Sequence, residues 1–187
     1  LLFGLALILI SLAFKVGAVP LHLWIPDVYQ GSPTPTTSFL SIASKASGFA
    51  ISLRVLEPFL NSPVTHDKTV AILSILAGAT ILVGNLAAIP QTNFKRLLAY
   101  SSIANAGFIL LAVAAWDKGS DLTSAQVVGF YLAIYLIMTF AAFFILSTIH
   151  RNTGSEEISA FEGLGTRNPV LALMTIIVMA AMAGVPL

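Results

Sequence analysis

Two lysines stand where lysine is expensive. Lys45 follows Thr36 by nine positions inside an apolar stretch. At 1.5 Å per residue this is roughly 13 Å into a hydrocarbon core ~30 Å thick. A lysine at that depth costs ~2.5–3.5 kcal/mol on insertion scales, and such residues face a bundle interior or a water-filled cavity. The chemistry open to it is reversible protonation, as a proton or ion site. The competing role is a structural ion pair, yet no Asp or Glu lies at the centre of any apolar run. Ser38, Ser41, Lys45, Gly48 and Ser52 recur at intervals of three and four and so share one helix face. Hydroxyls along that face can hold waters for a hopping proton; equally, small side chains let helices pack closely.

Lys15 is placed differently. Gly17, Pro20 and Pro26 follow it. Pro20 has no N–H and clashes with the preceding turn, so a helix carrying Lys15 must break near Ala18–Pro20. Broken backbone inside a membrane is tolerated where it is buried in protein or lines a cavity, and transporters use such discontinuous helices at their ion sites. His22, just past the break, is of a type that titrates near neutral pH; it is open to proton relay or to an interfacial hydrogen bond. Lys95, Ser102 and Asn105 fall on one face, so Lys95 either anchors at the interface or hands protons inward. Arg54 points away from the Lys45 face and suits an interfacial anchor, while Trp24 and Tyr29 suit the headgroup level. Asn85 is placed for a hydrogen bond between helices, and Thr34 or Thr36 for a helix cap. No His or carboxylate cluster has metal-ligand spacing, and there is no Gly-rich phosphate loop or Ser-His-Asp set.

The elements that must carry these residues follow from composition. Of 187 residues, 57% are hydrophobic and 9% charged, with a formal net charge of +1 and a mean hydropathy of +0.94. An average soluble domain is about 25% charged, so a soluble globule, a disordered chain and a nucleic-acid binder are all excluded. The absence of cysteine excludes disulfides, thiolate metal sites and a Cys nucleophile. The fold class that remains is an all-α, polytopic transmembrane bundle with discontinuous helices, forming a single membrane domain. Its spans are six: 1–30 (broken), 36–59, 69–90, 94–116, 122–149 and 169–187 (cut short). The last run ends Ala183-Gly184-Val185-Pro186-Leu187, so it pairs with the first as an interrupted helix, a pointer to internal repeats. Residues 156–164 predict a short surface helix. The loop basic residues divide four (Lys95, Arg96, Arg151, Arg167) to three (Arg54, Lys68, Lys118) between the two faces, which leans toward the first face being cytoplasmic. A start at Leu1 and an end inside an apolar run suggest an interior piece of a longer chain.

Two stretches carry a family resemblance. Lys15-Val-Gly-Ala-Val-Pro-Leu-His-Leu-Trp-Ile-Pro-Asp-Val-Tyr-Gln-Gly-Ser-Pro-Thr-Pro35 is the first. The second runs from Gly84-Asn-Leu through Gln91 to Lys95-Arg-Leu-Leu-Ala-Tyr-Ser-Ser-Ile-Ala-Asn-Ala-Gly107. Both resemble the antiporter-like membrane subunits of proton-pumping NADH–quinone oxidoreductase (complex I). His22–Tyr29 and Ser44-Lys45 look most like the bacterial subunit N (subunit 2) family. The resemblance implies a fourteen-helix fold with two inverted five-helix repeats, of which the six runs would be helices seven to twelve. It implies that Lys15 and Lys45 carry protons; Pro20, His22, Ser41, Ser52, Lys95 and Ser102 are the supporting candidates that the spacing and chemistry above single out. A partner glutamate would precede Leu1 and a further lysine would follow Pro186. Asn105 departs from the family pattern, where histidine is frequent. The implied partners are other complex I membrane subunits and the lipid bilayer of the bacterial inner membrane, with no nucleic acid. NADH and quinone would be used by the whole complex, with no cofactor bound by this chain. The alternatives are a subunit of a multi-subunit monovalent cation/proton antiporter and a structural membrane spacer.

Overall fold

A computed structural model describes residues 2–116 and 123–184. The described elements are α1 (Leu2–Val16), α2 (Trp24–Gly31), α3 (Thr34–Leu60), α4 (His66–Ala88), α5 (Phe94–Ala114), α6 (Ser124–Thr153), a 3₁₀ turn (Ile158–Phe161), α7 (Leu164–Arg167) and α8 (Pro169–Met182). Four of them, α3 to α6, are long and apolar enough to cross a membrane. The outer two runs give shorter apolar helices, Phe3–Val16 and Pro169–Met182, and each ends beside a glycine with positive φ. Gly17 has φ 77° and Gly184 has φ 85°, a conformation that L side chains avoid. Val185–Leu187, including Pro186, lie outside the described residues, as do Lys118 and the rest of 117–122.

The bundle is built around α5. Of its membrane-length window 67% is buried, against 22% for α4. α4 packs on α5 through small residues. A Cβ at Gly84 would lie 2.6 Å from the Ala104 backbone nitrogen, and one at Gly107 would lie 3.0 Å from the Ala77 carbonyl oxygen. The two backbones therefore touch, the close approach that small residues allow in membrane bundles. α2 also packs on α5, α1 and α6 pack on α3, and α8 packs on α6. Large apolar side chains such as Phe39, Ile75, Leu82, Phe130, Ile137 and Phe144 are left on the outside, where lipid rather than water is the matching solvent.

Helix ends are closed locally. Thr123 and Gln126 form a reciprocal capping box at α6, which ends at Gly154 in the left-handed conformation. Asn93 caps α5 by accepting from Arg96 N, and Asn168 caps α8 by accepting from Leu171 N. Three sequence expectations are corrected here. α3 starts after Pro33 with no side-chain cap, so neither Thr34 nor Thr36 caps it; Thr37 and Ser32 meet through their hydroxyls at 2.6 Å. Residues 156–164 do not form one helix: Asn93 and Glu157 pair as an antiparallel bridge, which holds that stretch extended before the 3₁₀ turn. Asn85 is exposed and donates to the Ile81 carbonyl of its own helix at 2.9 Å, so it ties no second helix.

Candidate functional site

The site begins where α1 stops. Gly17 turns the chain, and a Cβ there would run into the Ile25 side chain. Val19–Pro20 is a cis peptide, and the Val19 N–H donates to Thr80 Oγ1 of α4 at 3.0 Å. The Phe14 carbonyl, on the last turn before the break, accepts from the Gly17 N–H and from the Trp24 indole N–H, each at 3.2 Å. Pro20 is exposed. His22 is buried, and its Nδ1 has no hydrogen-bond partner among the described residues. Lys15 lies on the last turn of α1 and is exposed, with its stem crossing α3 at Gly48. A Cβ at Gly48 would be 3.5 Å from Lys15 Cγ and 2.9 Å from Val16 Cγ1, so the absence of a side chain there lets α1 and Lys15 lie against α3.

Lys45 is 3% exposed. Its Nζ donates to the backbone carbonyl of Ser102, in the middle of α5. Among the described residues no carboxylate pairs with it. The Ser102 hydroxyl in turn lies 3.2 Å from the Tyr29 hydroxyl. Lys15 and Lys45 line one cavity of about 130 Å³, together with Trp24, Ile25, Tyr29 and Ser44. The serine stripe is buried along with Lys45. Ser41 donates to the Ser38 carbonyl at 2.7 Å and Ser52 to the Gly48 carbonyl at 2.8 Å. The Ser38 hydroxyl is buried without a partner among the described residues.

Lys95 lies elsewhere. It is 3% exposed and forms an ion pair with Glu156 at 2.6 Å, while donating to the Ser32 carbonyl at 3.0 Å. It is thus enclosed between the α2–α3 turn and the chain after α6, and it does not stand at the lipid-facing surface as an interfacial anchor would. Neighbouring Arg96 reaches Asp27 at 2.8 Å and Gln30 at 2.9 Å. Arg54 is exposed on α3. Asn105 donates to the Ser101 carbonyl at 2.8 Å and accepts from the Tyr131 hydroxyl at 2.5 Å.

Sequence reasoning misplaced one residue of the site. Tyr29 is not at the headgroup level: it is 3% exposed, enclosed where α2 packs on α5. The available signal was the four-residue spacing of Ile25 and Tyr29, which puts both on the inward face of a short helix. Among the described residues no group of three His, Cys, Asp or Glu could hold a metal.

What the arrangement can do chemically is bind and release protons at two amines that share a cavity. Known proteins are similar along nearly the whole chain. NADH-quinone oxidoreductase subunit N of Dehalococcoides mccartyi is 45% identical over 185 residues, covering 98% of this chain and 38% of that protein. A chain of the membrane-bound sulfane sulfur reductase, an archaeal respiratory membrane complex, superposes with a TM-score of 0.86 at 32% identity, covering 98% of this chain and 37% of that one. A chain of respiratory complex I from Thermus thermophilus with bound aureothin gives a TM-score of 0.76 at 39% identity, covering 97% of this chain and 38% of that one. The chain thus spans well under half the length of the proteins it matches. With residues 1–187 all matched, it belongs to the family described as NADH:quinone oxidoreductase/Mrp antiporter, transmembrane.

Proposed function

We propose that the chain is part of a proton-translocating membrane subunit of a bacterial NADH–quinone oxidoreductase, seated in the inner membrane among the other membrane subunits of that complex. The observation that carries this reading is Lys45: a fully enclosed lysine with no carboxylate partner among the described residues, hydrogen-bonded to a helix carbonyl and sharing a cavity with Lys15. A structural ion pair needs a counter-charge, whereas a proton carrier needs an amine that holds and loses its proton without one. Two amines on one cavity also influence each other, because a proton arriving on one repels the charge on the other. That repulsion moves a proton onward once a first one is driven in. In this proposal Lys15 and Lys45 carry the proton, with His22, Ser41, Ser52 and Ser102 lining its way and Pro20 holding the break open. Lys95 is left with its partner Glu156, outside the transfer steps. Electron transfer from NADH to quinone takes place on other subunits and supplies the drive.

Replacing Lys45 with Ala in the full-length subunit of the assembled complex tests this. The variant is expected to lose most NADH-driven proton uptake in reconstituted vesicles. Wild-type uptake would overturn the proposal. Uptake that follows sodium and ignores NADH and quinone would assign the chain to a monovalent cation/proton antiporter instead. Intact pumping with Lys15 and Lys45 both changed to Met would leave it a membrane spacer.

A further inference from the structure

We propose that Tyr29 is a proton-relay residue between Lys15 and Lys45. The inference rests on the reading of the two lysines as proton carriers, and it adds a group that no lysine-to-lysine scheme requires. Four observations place it. Tyr29 lines the same cavity of about 130 Å³ as both lysines, a volume above that needed to admit water. Its hydroxyl lies 3.2 Å from the Ser102 hydroxyl, and the carbonyl of that same Ser102 accepts from Lys45 Nζ. It is 3% exposed, so it is closed off from the outer surface of the bundle. Its ring is packed against Phe143 of α6, with centroids 6.3 Å apart, which holds the ring while leaving the O–H free to rotate about its C–O bond.

A phenol both donates and accepts. The relay therefore needs no change in its net charge. An N–H bond of protonated Lys15 breaks and an O–H bond forms on a cavity water. That water passes a proton to the Tyr29 oxygen as the Tyr29 O–H bond breaks and its proton goes to the Ser102 hydroxyl; the Ser102 O–H bond breaks in turn, and its proton forms the N–H bond on neutral Lys45, which the carbonyl of the same residue holds close. Each water or hydroxyl gains one proton and loses one. The overall change is one proton removed from Lys15 and one added to Lys45. Rotation of the Tyr29 and Ser102 O–H bonds resets the file. Placement on α2 fits this role, because the break at Gly17–Leu23 swings α2 back beside the Lys15 end of α1 while Ile25 and Tyr29 hold it against α5.

The test is Tyr29→Phe in the full-length subunit of the assembled complex, in membrane vesicles. Phe keeps the ring and its packing and removes only the hydroxyl. Proton uptake per complex is expected to fall at least about tenfold, in line with removal of a positioned proton-transfer group, and its solvent deuterium isotope effect is expected to change. Wild-type uptake with the wild-type isotope effect would overturn the relay. Lys45→Ala measured in the same vesicles separates the two levels. If Lys45→Ala abolishes uptake and Tyr29→Phe does not, the relay fails and the lysine reading stands; if Lys45→Ala pumps normally, the lysine reading fails. Where Tyr29→Phe lowers the amount of complex, 3-fluorotyrosine at position 29 preserves packing and alters only the acidity of the hydroxyl. A changed uptake rate then supports the relay, and an unchanged one overturns it.

Discussion

The pair Lys95–Glu156 allows a stability effect to be worked from the structure. Its atoms are 2.6 Å apart, with side-chain exposures of 4% for Lys95 and 20% for Glu156. At an effective dielectric of about 20, unit charges at that distance attract by roughly 6 kcal/mol. Desolvation of both ions offsets most of this, so the pair as a whole adds little. Breaking it is another matter. Glu156→Gln leaves the Lys95 ammonium enclosed with only neutral acceptors, one of them the Ser32 carbonyl at 3.0 Å. Broken buried pairs cost about 3–5 kcal/mol. Because Glu156 is one-fifth exposed, water can partly replace it, and we expect about 3 kcal/mol. Joint replacement, Lys95→Met with Glu156→Gln, removes both charges and is expected to cost about 1 kcal/mol. Unfolding of the purified full-length subunit in mixed detergent micelles, run as a double-mutant cycle, measures both. Single changes that fall within about 0.5 kcal/mol of wild type, or that simply add, would refute the pairing.

Two backbone contacts make further predictions. Gly84→Ala sets a Cβ 2.6 Å from the Ala104 backbone, which cannot yield without parting α4 from α5; about 1–3 kcal/mol is expected in the same unfolding assay. Gly78→Ala on the same helix meets nothing within 4 Å and should be neutral or slightly stabilising; equal effects would contradict the packing described. Gly17→Ala combines a left-handed φ of 77°, costing about 1–2 kcal/mol, with a collision against Ile25. Since the nearest obstructing atom is Ile25 Cδ1, adding Ile25→Val should recover part of the loss. Strict additivity of the two changes would remove the collision from the account.

Much of the site is legible in the residues alone because membranes restrict where charge can lie. The depth of Lys45 follows from its distance from the start of an apolar run, and its enclosure is that expectation in side-chain form. The end of α1 is written in Gly17 and Pro20. Partnerships between distant residues are not legible in the same way. Nothing near Lys95 in sequence identifies Glu156, sixty-one positions on, and a lysine at the start of an apolar helix resembles a surface anchor. Tyr29 is misleading for a related reason: a tyrosine near a helix end has the amphipathic character of a belt residue, and only the docking of α2 on α5 puts it inside. Asn85 misleads the other way, since an amide in a span can satisfy its own helix as readily as a neighbour.

The hydrogen bond from Val19 to Thr80 has a mechanical consequence. Thr80 belongs to α4, and α4 is joined backbone to backbone with α5 at Gly84 and Gly107. The break beside Lys15 and the Ser102 carbonyl that holds Lys45 are therefore both fastened to one stiff two-helix frame. α3, which carries Lys45, touches that frame far less closely than α4 and α5 touch each other. A shift of α3 against that frame therefore parts Lys45 from Ser102 while Val19, at the break, stays fastened to Thr80.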